Sequence, residues 1–340
     1  MMNRKRLAVI LSNYNHGRYL PESLDSLLRQ SRKANEVIII DDASSDDSVD
    51  VLRGYAASHS EIKLICNETN QGYLHNAQMA LSMIESDYFF AASADDIYLP
   101  DFFQKSMSLL ETHAEAGLCS AISLVLKQEG GNPVLFPSPV ISMTPSYLNP
   151  EQAARTLLKY GSWFMGNTAI YNKKIYQELG GYEVIKDLHS YTDGFIMEII
   201  AFRAGVCYLP EATGIWRRSG KGWSDSIVDN IDEANAIINR ARILMQGRYG
   251  NFVPDVYPEL WERDFRFSLE KKLARTKYVA RRKSRSHTTV LVNISRCIRY
   301  LADYLYLMGR HTSMRIIRRY INTLGFKLYY NLVIVRKNHL

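Results

Sequence analysis

Tyr88-Phe89-Phe90-Ala91-Ala92-Ser93-Ala94-Asp95-Asp96 is the stretch that decides the fold, because two adjacent aspartates follow a predicted apolar strand at 88–92. A second pair, Asp41-Asp42, follows another apolar run, Val37–Ile40, in the same way. In open parallel sheets, ligands bind in the crevice at the carboxyl ends of the strands. Adjacent carboxylates repel each other and are costly to bury, so a divalent cation or sugar hydroxyls would compensate them. Both pairs are therefore predicted to line one crevice.

The pattern around the two pairs predicts an α/β fold. Short apolar runs alternate with helical stretches up to about residue 126, which indicates βαβ units and a mostly parallel, Rossmann-like sheet flanked by helices. The predicted strands are 7–11, 36–40, 62–66, 88–92, 117–126, 167–171 and 206–209, and the predicted helices that follow residue 150 are 151–160, 173–179 and 192–204. The stretch 129–150 is rich in Gly, Pro and Ser, so we expect a long loop there that acts as a lid.

Length and charge divide the chain into two predicted parts. A chain of 340 residues suits one domain of roughly 220 to 250 residues with an appendage. We place the main domain at 1–228 and a basic helical C-terminal extension at 229–340, with helices at 229–248, 258–283, 289–308 and 312–335. The net charge of the chain is +7, and the residues from Glu262 onward contain 19 Lys and Arg against 4 Asp and Glu. The two parts are therefore expected to face different partners.

The basic extension predicts a surface contact. Basic amphipathic helices that carry aromatic residues suit an anionic membrane surface. A solvated helical face or a contact within a homo-oligomer explains the same pattern equally well. No RNA- or DNA-binding motif accompanies the charge, so nucleic acid is not an expected partner.

Cysteine spacing and the first residues indicate a cytoplasmic chain. The four cysteines are far apart and form no C-x-x-C motif, which is typical of reduced structural thiols. The basic start is followed by an apolar run, Leu7–Leu11, that is too short for a signal peptide and predicts a first strand instead. No stretch of about 18 apolar residues occurs, so no transmembrane helix is expected. The extension would allow peripheral association with the inner face of a membrane.

Four segments in order resemble the family 2 inverting glycosyltransferases, which have the GT-A fold and use nucleotide-diphosphate sugars. The segments are Val9–Asn15 with the leucines of the following helix, Glu36–Ser48, Asn70–Gly72 with Ala77, and Asp95-Asp96 with Pro100. The resemblance covers roughly residues 5–225. It implies a GT-A domain that binds a nucleotide-sugar donor.

The resemblance also implies a nucleotide site. Asp41 would accept a hydrogen bond from the base, and Ser12, Tyr14 and Asn15 would surround the base and the ribose. The implied nucleotide-binding residues are Ser12, Asn13, Tyr14, Asn15, Asp41, Asp42, Asn70, Gly72, Asn76 and Asp95. For Tyr14, a place in the core is the alternative.

Asp95 and Asp96 would share ribose and metal contacts, with Asp96 favoured for the metal and Asp95 for the ribose. Mn²⁺ or Mg²⁺ suits hard oxygen ligands, whereas the sulfur and imidazole ligands that zinc prefers do not accompany the pair. Ser93 stands where the commonest family pattern, D-x-D, has its first acid. A purely structural role as a helix cap before Pro100 is the alternative.

The base of an inverting reaction is implied at Asp193. The segment from Gly180 to Gly205 resembles the acceptor-side motif of the family, in which an acidic pair opens a helix, and Thr192 replaces the first acid of that pair. A carboxylate at a helix N-terminus is favoured by the macrodipole, so we expect Asp193 to be charged at neutral pH. An ordinary first-turn aspartate is one alternative, and His189 as the base is another.

Several further residues are candidates for contact with the acceptor or the diphosphate. Indole rings pack on the C–H faces of sugars, and Arg pairs with phosphate. The candidates are Trp163, Thr192, Trp216, Arg217 and Arg218. Core packing is the alternative for the tryptophans. The Q-x-x-R-W pattern of processive synthases is absent from this region, so transfer of single residues is expected.

The expected function is transfer of a sugar, with a UDP-sugar as the first choice of donor, to a saccharide or a lipid-linked acceptor in bacterial surface polysaccharide biosynthesis. The sequence has no G-x-G-x-x-G after its first strand, no phosphate-binding P-loop and no G-x-S-x-G elbow. A dinucleotide-binding oxidoreductase is therefore not favoured. Two alternatives stay open: a non-catalytic nucleotide-sugar-binding scaffold at the membrane, and a transferase that acts on a polyprenyl phosphate.

Overall fold

The computed structural model of this chain describes residues 4–127, 130–136, 138–218 and 231–283. The predicted helices 289–308 and 312–335 lie outside the described residues. The chain divides into two compact units, one drawn from 1–155 and 162–226 and the other from 156–161 and the residues after 226.

A mixed sheet forms the centre of the first unit. Its strands, within the described residues, are β1 (Leu7–Asn13), β2 (Glu36–Asp41), β3 (Ile62–Cys66), β4 (Tyr88–Ser93), β5 (Ile97–Tyr98), β6 (Leu118–Leu126), β7 (Val134–Leu135), β8 (Ser146–Leu148), β9 (Ala169–Asn172) and β10 (Val206–Arg217). The strand order is β3-β2-β1-β4-β9-β6-β10-β5, with β7 paired to β6 and β8 paired to β10. Strands β3, β2, β1 and β4 are parallel, and β9 runs antiparallel to β4 and β6. The predicted α/β sheet is confirmed.

Helices join and flank these strands. They are α1 (Leu20–Leu28), α2 (Ser48–Ser58), α3 (Tyr73–Met83), α4 (Phe102–Thr112), α5 (Pro150–Tyr160), α6 (Lys173–Glu178), α7 (Gly181–Ile185), α8 (Thr192–Ala204), α9 (Ile231–Gln246) and α10 (Tyr257–Lys283). Two 3-10 segments, Gly166–Thr168 and Lys186–Tyr191, lie before β9 and α8. Pro21 lies in the first turn of α1, where its missing N–H costs no helical hydrogen bond.

An aromatic cluster fixes the segment that carries the second aspartate pair. Phe90 of β4 packs edge-to-face against Tyr98 and Phe102, each with its ring centroid 5.0 Å away. All three side chains are buried, and each buried aromatic ring of this kind contributes about 2 to 3 kcal/mol by burial of apolar area. Because β4, β5 and α4 are held together on both sides of the turn, Asp95 and Asp96 are placed by a rigid frame.

Two regions differ from the sequence predictions. The stretch 129–150 is not one irregular loop, since Val134 of β7 pairs with Val125 of β6 and Leu148 of β8 pairs with Val206 of β10. Strand β10 does not end at residue 209 but continues through register shifts to Arg217. Both differences come from strand pairing between residues distant in sequence, which the local composition does not report.

The described part of the second unit contains α9, α10 and residues 156–161. Buried apolar residues of α9, among them Ile237, Ala241 and Leu244, build its core together with Trp261 and Phe265 of α10. Glu262 of α10 pairs with two arginines, one on each helix. Within the residues that the structure describes, no helix has both the length and the apolar character needed to cross a membrane.

Candidate active site

The carboxyl edge of the sheet brings the predicted donor residues together. Asn13, the last residue of β1, is in register with Asp41 at the end of β2, and Ser12 is in register with Ser93 at the end of β4. Asp95 and Asp96 lie in the connection between β4 and β5. The two aspartate pairs therefore flank the end of β1, as the sequence predicts.

Asp41 is enclosed by its own chain. One carboxylate oxygen accepts from Asn13 Nδ2 (2.8 Å) and from Ser44 Oγ (2.7 Å). The other accepts from the backbone N–H of Ser44 at 2.9 Å. The side chain is 0% exposed. A nucleotide base would therefore contact Asp41 only if the loop at Ser44 moved.

Asp42 holds the loop that precedes α3. Its carboxylate accepts from the backbone N–H groups of Gln71 (2.8 Å) and Gly72 (2.9 Å) and from Asn67 Nδ2 (2.9 Å). Burial acts to raise the pKa of this carboxyl, but these hydrogen bonds outweigh it and lower the pKa below its ordinary value. Gly72 has a φ of +84°, a conformation that glycine adopts without strain. Through these hydrogen bonds to backbone N–H groups, Asp42 holds the loop that precedes α3.

The remaining donor residues differ in exposure. Asn76 is buried and its Nδ2 donates to Ser12 Oγ at 3.2 Å. Asn15 has a φ of +57° and its Oδ1 accepts from the backbone N–H of Ser45 at 2.7 Å. Tyr14 is 49% exposed, which removes the alternative of a core aromatic and leaves its ring free to stack. Asn70 is exposed on the same loop as Gly72.

Asp95 and Asp96 have surroundings that oppose their charge. Burial raises the pKa of Asp95, and His16 and Arg217 oppose that rise. Asp96 is 1% exposed. Its pKa is raised well above the ordinary value, first by burial and then by the nearby charge of Asp95. The backbone N–H of Arg217 and the side chain of Asn167 act against this rise. Asp96 Oδ1 accepts from that N–H at 2.9 Å, whereas Asp96 Oδ2 is buried without a hydrogen-bond partner in the described residues.

Arg217 is engaged within the protein. Its guanidinium donates to the backbone carbonyl of Asp95 (2.8 Å), pairs with Glu22 and lies 4.7 Å from the ring centroid of Tyr19. These contacts bind the turn of the carboxylate pair to α1. In this arrangement Arg217 supports Asp95 and Asp96, so contact with a diphosphate, which the sequence predicts, would require the guanidinium to leave Glu22.

The donor set at the turn fits a divalent metal ion. No group of three or more His, Cys, Asp or Glu side chains arranged to hold a metal occurs in the described part of the chain. Mg²⁺ and similar ions are commonly held by one or two carboxylates together with substrate phosphates. The unpartnered oxygen of Asp96 beside the part-buried carboxylate of Asp95 supplies that number of protein ligands.

Asp193 lies in the first turn of α8 and is part-buried. Burial raises its pKa to about 6. The loss of hydration on burial outweighs the favourable field of the helix N-terminus, so the pKa lies above that of an ordinary aspartate. The carboxylate is still mostly ionised at neutral pH, and a pKa near the working pH makes it a better base than an ordinary aspartate.

Two residues close to Asp193 in sequence, Thr192 and His189, were also candidates for a role at this site. Thr192 is 0% exposed and its Oγ1 is buried without a partner in the described residues. His189 is exposed on the 3-10 segment, with a φ of +49°. The imidazole is exposed, whereas the Asp193 carboxylate is part-buried against Gly166, and this difference favours Asp193 as the base.

Sequence reasoning missed two residues at this site, Gly166 and Asn167. A Cβ atom on Gly166 would lie 3.0 Å from Asp193 Oδ2. Asn167 is the next residue, and its side chain acts on Asp96. Neither residue carries catalytic chemistry of its own, and the only sequence signal is a Gly-Asn pair at the start of the predicted strand 167–171.

The aromatic acceptor candidates differ. Trp163 is 2% exposed and packs on Phe164, which favours the core alternative. Trp216 is partly exposed, with Phe136 at 5.6 Å between ring centroids and the Arg218 guanidinium 5.0 Å from the centroid of its own ring. Trp216 and Arg218 therefore form a surface that an acceptor can reach.

Comparison with known proteins identifies related chains. A sequence profile of the family described as Glycosyl transferase family 2 matches residues 8–180. EpsE of Bacillus subtilis (strain 168), whose name assigns it to the glycosyltransferases, is 31% identical over 189 residues, which are 55% of this chain and 63% of that protein. The glycosyltransferase alr2836 of Nostoc sp. (strain PCC 7120), named as uncharacterized, is 26% identical over 250 residues, 72% of this chain and 74% of that protein.

Solved structures share the fold. S. aureus TarS 1-349 in complex with UDP-GlcNAc matches with a TM-score of 0.58 and 17% identity, over 76% of this chain and 71% of that chain. The mannosyltransferase PcManGT from Pyrobaculum calidifontis, in complex with GDP-Man and Mn²⁺, matches with a TM-score of 0.53 and 17% identity, over 96% and 88%. The GT-A fold expected from the sequence is confirmed by these likenesses. The chain spans less than two thirds of the length of EpsE.

Proposed function

The chain belongs to glycosyl transferase family 2, and on that premise we propose that it is an inverting glycosyltransferase that uses a nucleotide-diphosphate sugar. The observation that carries the proposal is the pair Asp95-Asp96, whose buried oxygen on Asp96 lacks a partner in the described residues, in the same unit as the tuned carboxylate of Asp193. A polar atom buried without a partner costs free energy. A bound ligand would recover that cost.

The donor nucleotide would bind along the edge formed by β1, β2 and the loop before α3. Tyr14 would stack on the base, since its ring is exposed. The backbone of the loop at Gly72, held by Asp42, and the side chains of Ser12 and Asn76 would contact the nucleoside. Asp41 and Asn13 would form the floor of the site. UDP-sugars are the first choice of donor.

Asp96 would hold a Mn²⁺ or Mg²⁺ ion, and Asp95 would divide its oxygens between that ion and the ribose. When bound, such an ion neutralises charge that develops on the departing diphosphate. Arg217 would hold both aspartates in place, because its side chain donates to the Asp95 carbonyl and its backbone N–H donates to the Asp96 carboxylate.

Asp193 would be the catalytic base. An acceptor hydroxyl attacks the anomeric carbon on the face opposite the diphosphate, the bond from that carbon to the phosphate oxygen breaks, and the hydroxyl proton passes to Asp193. The nucleoside diphosphate leaves with the bonding electrons, so the anomeric configuration inverts. The pKa of about 6 keeps the group ionised at neutral pH while bringing its proton affinity closer to that of the attacking hydroxyl.

Trp216 and Arg218 would face the acceptor, a saccharide or a lipid-linked sugar in bacterial surface polysaccharide biosynthesis. We also place the catalytic domain at 1–228 and assign 229–340 to a basic extension that contacts an anionic membrane surface or a second copy of the chain, which would locate a cytoplasmic protein at the membrane. Vesicle pelleting at low and high salt tests the extension, because binding driven by basic residues weakens as salt rises.

A donor screen tests the proposal. UDP-, GDP- and dTDP-sugars are incubated with Mn²⁺ and release of the nucleoside diphosphate is followed, with water or added saccharides as acceptor, for the wild type and for Asp193→Asn. We expect turnover of one donor class by the wild type, and loss of turnover with retained nucleotide binding in the variant. Nucleotide binding without turnover in the wild type would favour the scaffold alternative, and equal turnover in both proteins would remove Asp193 as the base.

A further inference from the structure

The 3-10 turn Gly166–Thr168 is close to Asp193, the proposed base, and its second residue acts on Asp96, the proposed metal ligand. At its first residue the turn backs directly onto the base, because a Cβ atom on Gly166 would lie 3.0 Å from Oδ2 and 3.4 Å from Cβ of Asp193. Real Cβ contacts of that length require a neighbour to move. The backbone of the turn therefore forms one wall of the place that Asp193 occupies.

The second residue of the turn, Asn167, acts on the other centre. Its side chain opposes the rise in the pKa of Asp96, and Asn167 Nδ2 donates to Ser123 Oγ of β6 at 3.1 Å. Consecutive residues of one short turn thus approach the proposed base and influence the proposed metal ligand.

The turn is anchored to the sheet and has little room to shift. Thr168 is 0% exposed, and its Oγ1 donates to the carbonyl of Ala121 on β6 at 2.8 Å. On the other side, a Cβ atom on Gly214 of β10 would lie 2.9 Å from Thr168 Cγ2. Strands β6 and β10 therefore hold the turn in a fixed position.

We propose that the turn Gly166–Thr168 is a spacer that sets the position of Asp193 relative to Asp96, with Gly166 and Asn167 as positioning residues. The inference rests on the proposed function, in which the base and the leaving diphosphate act on opposite faces of one sugar ring. Reactions of this kind are sensitive to the placement of the reacting groups, and a displacement of about 1 Å costs on the order of a hundredfold in rate. Gly166 keeps the Asp193 carboxylate close to the turn, and Asn167 steadies Asp96.

The groups around Asp193 make the pH profile a usable readout. Tyrosines from four elements interact with Asp193, and they are Tyr73 of α3, Tyr171 of β9, Tyr176 of α6 and Tyr182 of α7. Burial is the main cause that raises the pKa of each of them, so they stay neutral across the range in which Asp193 titrates. The pKa values of Asp95 and Asp96 are raised as well, so a change in the acid limb of the rate is assigned to Asp193 where nucleotide binding at the same pH is unchanged.

Two glycines offer a matched pair of variants. Gly166→Ala places a methyl group against Asp193, whereas Gly194→Ala places one next to Asp193 in sequence but with nothing within 4 Å of it. For the donor that turns over in the screen, we expect Gly166→Ala to lose at least about tenfold in kcat and to shift the acid limb of the pH profile, with UDP or GDP binding in the presence of Mn²⁺ unchanged. Gly194→Ala should keep the wild-type kcat and acid limb.

Asn167→Ala tests the other end of the turn, with Ser123→Ala as its control. We expect Asn167→Ala to weaken Mn²⁺-dependent binding of UDP or GDP by about fivefold. Ser123→Ala removes the second partner of the Asn167 amide but leaves that amide beside Asp96, so its effect on binding should be smaller.

A loss of kcat in Gly166→Ala and a loss of nucleotide binding in Asn167→Ala would distinguish positioning from a general structural role. If Gly166→Ala weakens Mn²⁺-dependent nucleotide binding as much as Asn167→Ala does, or if neither variant alters kcat or binding, the spacer proposal is wrong. Asp193→Asn is measured beside them. Wild-type turnover in Asp193→Asn would overturn the proposed base, whereas an inactive Asp193→Asn together with an unchanged Gly166→Ala would overturn the spacer alone.

Discussion

The Asp41-Asp42 pair and the Asp95-Asp96 pair follow strands on either side of β1, and their carboxylates have opposite surroundings. Both oxygens of Asp41 and both oxygens of Asp42 accept hydrogen bonds from the chain itself, and the pKa of Asp42 is lowered. At the other pair the pKa values are raised, and Asp96 retains a buried oxygen without a partner in the described residues.

We infer from this difference that the first pair supports the structure of the site and the second pair takes part in its chemistry. Donors built into the chain stabilise the charge of Asp42, so that pair contributes to the stability of the nucleotide loop. Burial without sufficient donors destabilises the charge of Asp96, and we infer that a ligand supplies what is missing. Two pairs with the same sequence pattern thus have different roles, and substitution at each should change a different property.

The largest effect is expected at Asp96. Asp96→Asn should lower the turnover of the nucleotide sugar on the order of a thousandfold, because removal of a group that stabilises developing charge commonly costs that much. The free energy of unfolding at neutral pH should not fall, since the variant removes a buried charge and keeps an oxygen for the backbone N–H of Arg217. Nucleoside diphosphate release and urea unfolding measure the two quantities. A variant that loses stability and activity together would give Asp96 the same structural role as Asp42.

Asp42→Ala should lower the free energy of unfolding by about 2 to 4 kcal/mol, because it leaves the N–H groups of Gln71 and Gly72 unpaired and removes one of the two acceptors of Asn67 Nδ2. Asp42→Asn keeps one acceptor and should lose less. A carboxyl whose pKa is lowered by folding stabilises the protein above its ordinary pKa of about 4 and loses that contribution as pH falls through its native pKa. The difference between wild type and variant in urea unfolding should therefore shrink in acid. A constant difference down to about pH 2 would contradict the assignment.

Asp193→Asn should make the protein more stable at neutral pH while abolishing turnover. The native pKa of about 6 lies above the ordinary value of about 4, so ionisation of the native carboxyl costs at most about 3 kcal/mol. This cost is absent below about pH 4, grows between pH 4 and 6, and is complete above that range. Thermal or urea unfolding of both proteins across this range tests the sign. A variant that is less stable than the wild type at pH 8 would show that the carboxylate is favourably held.

The smallest effect is expected at Tyr14, beside the first pair. Because its ring is 49% exposed, Tyr14→Ala should change the free energy of unfolding by less than about 0.5 kcal/mol. Loss of stacking on a base should weaken nucleotide binding by about 1 kcal/mol, or about fivefold. Calorimetric titration with UDP and GDP measures the affinity. Unchanged affinity for both would mean that the base does not lie on this ring.

Local patterns were sufficient to predict strands β1 to β4, β6 and β9 and the place of both aspartate pairs, but not β5, β7 and β8. Apolar runs such as Val37–Ile40 and Tyr88–Ala92 are short and continuous, and acidic residues follow them directly, so the sheet edge can be placed from neighbouring residues alone. The same holds for the start of α8, where Asp193 follows Thr192. These features depend on residues within one turn or one strand.

Features that depend on distant residues could not be predicted in this way. The raised pKa of Asp193 comes from burial by several elements, and the role of Arg217 comes from its contacts with Glu22 and the Asp95 turn. Gly166 lies against Asp193 because β6 and β10 hold its turn in place. No spacing along the chain encodes these contacts, so only the folded arrangement reveals them.

The most direct test compares the effect of Mn²⁺ on nucleotide binding in three proteins, the wild type, Asp96→Asn and Asp42→Asn, by calorimetric titration with UDP and with GDP. We expect Mn²⁺ to tighten binding of one of the two nucleotides to the wild type and to Asp42→Asn, and to have no effect on binding to Asp96→Asn. If Asp96→Asn keeps the full effect of Mn²⁺, or if Asp42→Asn alone loses it, the assignment of chemistry to the second pair is contradicted.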